Sequence, residues 1–248
     1  MIILNVIKIF LPTALAFLIG IAITPRLTDF MYKHKLWRKR ARDGETITNT
    51  DFAKLQNTAA EVSTPRVGGI IIWLSILGTI GLMWLVAKLA PSDLSSKLDF
   101  YSRNQTLIPL ASLLFGSMLG LLDDWLEIRG RTGVTREHDS EIKFRYIKIA
   151  LIGVIGVVIA AWFYLKLGMH GIAIPFTGQE LMLGALFIPF FVFVLVATFS
   201  GGVIDGMDGL AGGVLAIIFA AYAIIAAGQN QIDIAAFCGV IAGATLAF

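Results

Sequence analysis

Charge is scarce in this chain. Of its 248 residues only 15% are Asp, Glu, Lys or Arg, against 57% hydrophobic. A soluble domain of this size rarely holds so few charges, so the soluble globular class is excluded. Cysteine is scarcer still. Cys238 is the only one, so no disulfide can form within a chain and cysteine usage says nothing about compartment. Its place in an apolar run suits a small filler better than a reactive thiol. The three histidines, His34, His138 and His170, are scattered without ligand spacing and read as surface residues. Internal repeats and low-complexity tracts are absent, and the inverted symmetry of many transporters is not evident.

What is present is a series of uncharged runs, several of them long enough to cross a membrane: Ile9–Thr24, Val67–Ala87, Leu107–Leu122, Ile149–Leu165, Leu181–Ile204, Gly209–Ala227 and Ile234–Phe248. They predict an all-α, polytopic membrane bundle of seven helices forming one domain over residues 1–248. The first run can extend back to Ile2, because Lys8 can snorkel to the headgroups. It lacks a basic start, and Thr24-Pro25-Arg26 is no small-residue cleavage site, so it reads as a helix and not a cleaved signal. The last run, Ile234–Phe248, is shorter than the roughly 20 residues a span needs and has no polar flank, which suggests a chain cut inside a helix.

Basic residues give the topology. Nine of the 20 Lys and Arg fall between the first two runs, from Arg26 to Arg66, and six more between Asp123 and Ile149. The segment around residues 88–106 has only Lys88, Lys97 and Arg103, and that around 166–180 only Lys166. The positive-inside rule then puts the amino end outside and the loops 25–66 and 123–148 in the cytoplasm. Residues 166–180, with Gly168, Gly171, Pro175 and Gly178, read as a short external hairpin or turn.

Three clusters punctuate the runs: Thr64-Pro65-Arg66-Val67-Gly68-Gly69, Leu122-Asp123-Asp124-Trp125 and Asp205-Gly206-Met207-Asp208-Gly209-Leu210. Each sits at a run boundary that the topology assigns to the cytoplasmic face. Adjacent carboxylates at Asp123-Asp124 repel and resist burial unless a cation or hydrogen bonds compensate. A solvated helix end accounts for such a pair as well as a site does. Metal-assisted phosphoryl transfer also uses one, with one carboxylate steering a divalent ion while its neighbour accepts a proton or attacks. Asp205 and Asp208 share one side of a helical turn, and the glycine after each permits close backbone approach. Ser200-Gly201-Gly202 just before them suits irregular backbone lining a cavity. In the first cluster Pro65 and Gly68-Gly69 suit a closely packed helix entrance, and Arg66 could grip a phosphate or anchor the helix. The basic stretch Lys33–Arg42, with Tyr32 and Trp37, suits anionic headgroups and not nucleic acid.

In this order and at these spacings, TPRVGG, LLDDW and DGMDGLAGG resemble the polyprenyl-phosphate phospho-sugar transferases, glycosyltransferase family 4. This superfamily includes the phospho-N-acetylmuramoyl-pentapeptide transferases and the UDP-N-acetylglucosamine:undecaprenyl-phosphate transferases. The resemblance runs from Pro12 to Phe248. It implies a bacterial or archaeal cytoplasmic-membrane enzyme with about ten helices in full, its active face cytoplasmic. A UDP-linked amino sugar would bind there, the phosphate of an undecaprenyl-type lipid would attack the sugar-bearing phosphate, and UMP would leave. Magnesium, or manganese, would neutralise the diphosphate. Asp123 matches the family acid proposed as base or nucleophile, and Asp124 its partner near the metal. Asp205, Gly206, Asp208 and Gly209 match the nucleotide-contacting segment. Lys143, after an insertion around Arg136–Glu141, matches a lysine near the phosphates; Arg66, as a candidate phosphate contact, would join it in binding substrate. Membrane lipids are implied partners, and a homodimer is an open assembly.

Two departures stand out. Gly202 occupies the position of a family Asn, so an amide contact is lost. The Gly-Asp-x-Gly-Ser segment with the main magnesium acid, and a later histidine-rich loop, do not occur before Phe248, so this stretch alone is expected to be inactive. The third cluster and last run lean to the muramoyl-pentapeptide branch and peptidoglycan synthesis; TPRVGG leans to the N-acetylglucosamine branch. The rival of another class is a transporter using Asp123, Asp205 or Asp208 as coupling groups, which would place those acids near the bilayer midplane.

Overall fold

The computed structural model of the chain describes residues 2–37, 64–65, 67–91, 104–128, 138–174, 179–200 and 209–248. Among them are helices α1 (Ile2–Lys33), α2 (Ile70–Leu89), α3 (Asn104–Ile128), α4 (His138–Lys166), α5 (Phe187–Ser200), α6 (Leu210–Gly228) and α7 (Ile232–Leu246), with strands β1 (Gly171–Ala173) and β2 (Glu180–Met182). The fold is all-α and of membrane type. Among the described residues four helical stretches are long and apolar enough to cross a membrane: Ile3–Lys33, Val67–Leu89, Ile149–Lys166 and Leu210–Gly228. The residues gather into two compact units, Met1–Val134 with Gly209–Phe248, and Thr135–Asp208.

The first unit is built around α7. Every residue from Ala235 to Thr245 is buried, and α7 touches α1, α2, α3 and α6. The described helix has 15 residues and is enclosed by its neighbours. Its contact with α1 is a seam of small residues. A Cβ built on Gly239 would collide with Thr13 Oγ1, and one on Gly243 with the Thr13 carbonyl oxygen. Further along, a Cβ on Gly20 would stand 2.5 Å from Ala247 Cβ and 3.1 Å from Ser75 Oγ. Thr13 therefore meets residues 239–243 and Gly20 meets 247, so α1 and α7 run parallel. Small residues four apart let backbones approach where lipid supplies no hydrophobic force between helices. Ala16, Ile76, Ile80, Leu110, Phe237 and Val240 fill the core beside the seam. The buried hydroxyls there are satisfied within their own helices: Ser75 donates to the Ile71 carbonyl (2.6 Å), Thr79 to Ser75 (2.8 Å) and Thr245 to Ile241 (2.6 Å). Outward residues such as Ile3, Phe10, Ile217 and Ile224 are exposed and apolar, as a lipid-facing surface requires.

Several boundaries differ from the sequence reading. α1 continues nine residues past Thr24 to Lys33, through Pro12 and Pro25. The helix continues through both prolines, and the Thr13, Thr24 and Arg26 side chains donate to carbonyls four residues earlier, those of Ile9 (2.7 Å), Gly20 (2.8 Å) and Ala22 (3.2 Å). α4 starts at His138, not at Ile149, so the expected loop is helical from there on. Asp139 and Glu141 near its start favour the positive end of a helix dipole. Leu181-Met182, read as the opening of the fifth run, belong instead to β2.

In the second unit, β1 and β2 pair antiparallel, Gly171 opposite Met182 and Ala173 opposite Glu180. The expected hairpin is present and extends two residues further. A 3-10 turn, Gly184–Leu186, leads into α5. α4 packs on α5 where a Cβ on Gly156 would lie 3.0 Å from Leu195 Cδ2, and Phe163 stacks on Phe191 with centroids 5.6 Å apart.

The seam carries a stability prediction. In the complete protein, Gly243→Val should force α1 from α7 and cost about 1–3 kcal/mol, as overpacking of a filled contact does. Gly81→Ala, where no atom lies within 4 Å of the new Cβ, should be neutral or stabilising by up to about 1 kcal/mol. Thermal unfolding in detergent checks both; an unchanged midpoint for Gly243→Val contradicts the seam.

Candidate functional site

The entrance to α2 is a 3-10 turn, Val67–Gly69, following Pro65. Its one bulky side chain, Val67, is buried against Met31 of α1 and Ile128 of α3, with Leu27, Leu36, Ile70 and Leu121 around them. The end of α1, the start of α2 and the end of α3 thus share one apolar knot. Leu121 and Ile128 lie seven residues apart on α3, on one face. Asp124 lies three after the first and four before the second, so it shares that face, and it is half-buried. The knot therefore places Asp124 on the side of α3 that meets the Val67–Gly69 turn. Trp125 beside it is exposed.

The third cluster reaches the same end through Phe248. A Cβ on Gly68 would stand 2.7 Å from Phe248 Cε2, and one on Gly212 at the start of α6 would stand 3.6 Å from Phe248 Cδ1. One ring thus spans the glycines of TPRVGG and of DGLAGG. Gly209 opens α6 in the left-handed region with φ +78°, a conformation that favours glycine, and its carbonyl accepts the Gly213 N–H at 2.9 Å.

The structure thus brings to one end of the first unit Val67-Gly68-Gly69, the helical turn carrying Asp123-Asp124, and Gly209 through Gly212. The acid pair does not terminate α3; the helix runs on to Ile128, because Ile128 extends the apolar face into the knot. Lys143 lies on the backbone of α4 within the second unit, in a helix and not in a loop. Arg66, Asp205, Gly206 and Asp208 lie outside the described residues. Among the described residues no three His, Cys, Asp or Glu side chains form a metal-holding group.

The family model described as glycosyl transferase family 4 matches residues 106–248, from the first turn of α3 to Phe248. The chain belongs to glycosyl transferase family 4. It is similar to proteins named phospho-N-acetylmuramoyl-pentapeptide-transferase. It is 30% identical to that of Geobacillus sp. (strain WCH70) over 239 residues, covering 94% of this chain and 64% of the relative. It is 30% identical to that of Halalkalibacterium halodurans, covering 94% and 63%, and 31% identical to that of Listeria monocytogenes serotype 4b, covering 95% and 64%. The chain thus spans a little under two thirds of the length of these curated relatives. No solved structure matches it.

Sequence reasoning missed the two groups that tie the clusters together. Met31 and Leu27, four apart on α1, are an apolar face inside a basic stretch, a spacing that could have flagged a buried helix end. Phe248 offered no such signal. The arrangement predicts shared sidedness. With Cys238 replaced by Ser, Thr64→Cys and Trp125→Cys should react with a membrane-impermeant maleimide from one side of sealed vesicles. Ala90→Cys, at the far end of α2, about 30 Å away along its 20 residues, should react from the other side. Opposite labelling of positions 64 and 125 would undo the one-ended site.

Proposed function

We propose that the complete protein transfers phospho-N-acetylmuramoyl-pentapeptide from its UDP-linked donor to undecaprenyl phosphate, at the cytoplasmic face of a bacterial membrane. The observation that carries this is the half-buried Asp124 of α3 on the face packed against the Val67–Gly69 turn, in a chain of glycosyl transferase family 4 whose relatives bear that transferase name. A lipid phosphate oxygen would form the new bond to the sugar-bearing phosphorus, the bond from that phosphorus to UMP would break, and UMP would leave with the electron pair. Asp123 would act on the lipid phosphate, accepting its proton where one is present. Arg66 and Lys143 would hold phosphate oxygens, and the Asp205–Gly209 segment the nucleotide.

Magnesium fits this donor set, because the ion is commonly held by one or two carboxylates together with substrate phosphates and water. Asp124 would be its ligand in this stretch of chain, and charge neutralisation of the diphosphate is what the bound ion supplies. The basic loops favour an amino end outside and an active face inside. The transporter reading is weakened by the position of Asp123-Asp124 in the last two turns of α3, beside the helix ends and away from its middle.

In the complete protein, Asp123→Asn should lower magnesium-dependent exchange of labelled UMP into the UDP-sugar by about 10²–10⁴-fold, the range for loss of a positioned acid–base group. Its thermal midpoint should stay close to that of the parent. Near-normal exchange would remove Asp123 from the chemistry; uptake into vesicles with no UMP exchange in the parent protein would favour transport.

A further inference from the structure

α1 closes with a Schellman arrangement. The Leu36 N–H donates to the Met31 carbonyl at 3.0 Å and the Lys35 N–H to the Tyr32 carbonyl at 3.2 Å, while Leu36 packs on the Met31–Val67–Ile128 knot. Such a cap needs one residue in the left-handed region, and glycine is its usual occupant. Here that residue is Lys35, with φ +52°. The end of α6 makes the same pair of bonds, from Gln231 to Ala226 (2.9 Å) and from Asn230 to Ala227 (3.1 Å), and uses Asn230 at φ +59°, a residue type that tolerates the conformation. These are the only non-glycine residues at positive φ among the described residues. A lysine held in that conformation calls for a reason. Complementing the helix dipole is not one, because Lys33 does so from an ordinary helical position. Satisfying the positive-inside bias is not one either, because a basic residue anywhere in the following segment would serve.

The surroundings supply a reason. Lys35 is exposed, as are Lys33 and His34, and the Tyr32 and Trp37 rings stand 6.1 Å apart beside them. Counted from Ile3, α1 is a rod of about 45 Å, which reaches from one headgroup layer to the other. Its end therefore lies where lipid phosphates are, and Tyr and Trp are the residues that favour that depth. The cap holds Lys35 on a fixed corner, pinned by the partly buried Leu36.

We propose that the α1 cap is a docking corner for an anionic phospholipid headgroup, with Lys35 as the cation aimed by the backbone and Lys33, Tyr32 and Trp37 around it. The ligand is a lipid of the surrounding leaflet, not a soluble phosphate compound, and the corner acts independently of any transfer reaction. Because Leu36 also packs against the Met31–Val67–Ile128 knot, an occupied corner steadies the same knot that positions Asp124.

The test is thermal unfolding of the complete protein in nanodiscs of phosphatidylcholine alone and of phosphatidylcholine mixed with phosphatidylglycerol. Phosphatidylglycerol should raise the parent's midpoint, and added salt should shrink the rise. Lys35→Gly should raise the midpoint in phosphatidylcholine by about 2–4 °C, by relieving the left-handed residue. The same variant should lose at least half of the phosphatidylglycerol-dependent rise. Lys35→Arg should keep that rise. An undiminished rise in Lys35→Gly, or a lower midpoint of that variant in phosphatidylcholine, would overturn the proposal. So would inorganic phosphate or a nucleotide reproducing the Lys35-dependent rise in phosphatidylcholine discs.

Discussion

The first unit depends on how closely α7 approaches α1. Between helices in lipid there is no gain from hiding apolar surface, since the lipid is equally apolar; association rests on shape and on van der Waals contact. Gly239 and Gly243 supply the shape, letting the α7 backbone reach Thr13. With the axes this close, Ala16, Ala236 and Ala244 can fill the space between them, and Ile76, Leu110 and Phe237 close the remainder. The enclosure of α7 follows from this approach, and so does the position of Phe248 two residues beyond its end.

That position links architecture to the candidate site. Phe248 lies on Gly68 and Gly212, where a side chain on Gly68 would exclude the ring. On the other flank Met31, Val67 and Ile128 bind three helix ends. Glycine on one side and branched or long apolar residues on the other thus gather segments far apart along the chain at one end of the unit. The acidic residue on the inner face of α3 is then held by packing, and its backbone is helical on both sides.

Much of this architecture is legible in the order of residues. The uncharged runs locate all seven described helices, and the basic loops imply that the three clusters share a side. The helix ends are less legible, each for a physical reason. α1 outruns its apolar run because Leu27 and Met31, beyond Pro25 and Arg26, have apolar partners in the knot with Val67 and Ile128. α3 outruns its own because Ile128 has a buried partner in Val67. α4 starts early on a charged segment that hydropathy reads as loop. The Leu181-Met182 pair, apolar enough to pass as membrane helix, pairs instead with β1.

Hydropathy and charge act on each segment through its own exchange between water and lipid, so the amino-acid sequence alone determined the class and located the seven helices found among the described residues. Which helices touch was decided only by the tertiary structure. Contact in an apolar medium depends on where small residues on two separate segments happen to face each other, and no local pattern records that. The same holds for Asp124: its sequence marks it as one of an acidic pair, but its half-burial beside the Val67–Gly69 turn exists only because Leu121 and Ile128 found partners on α1 and at the entrance to α2.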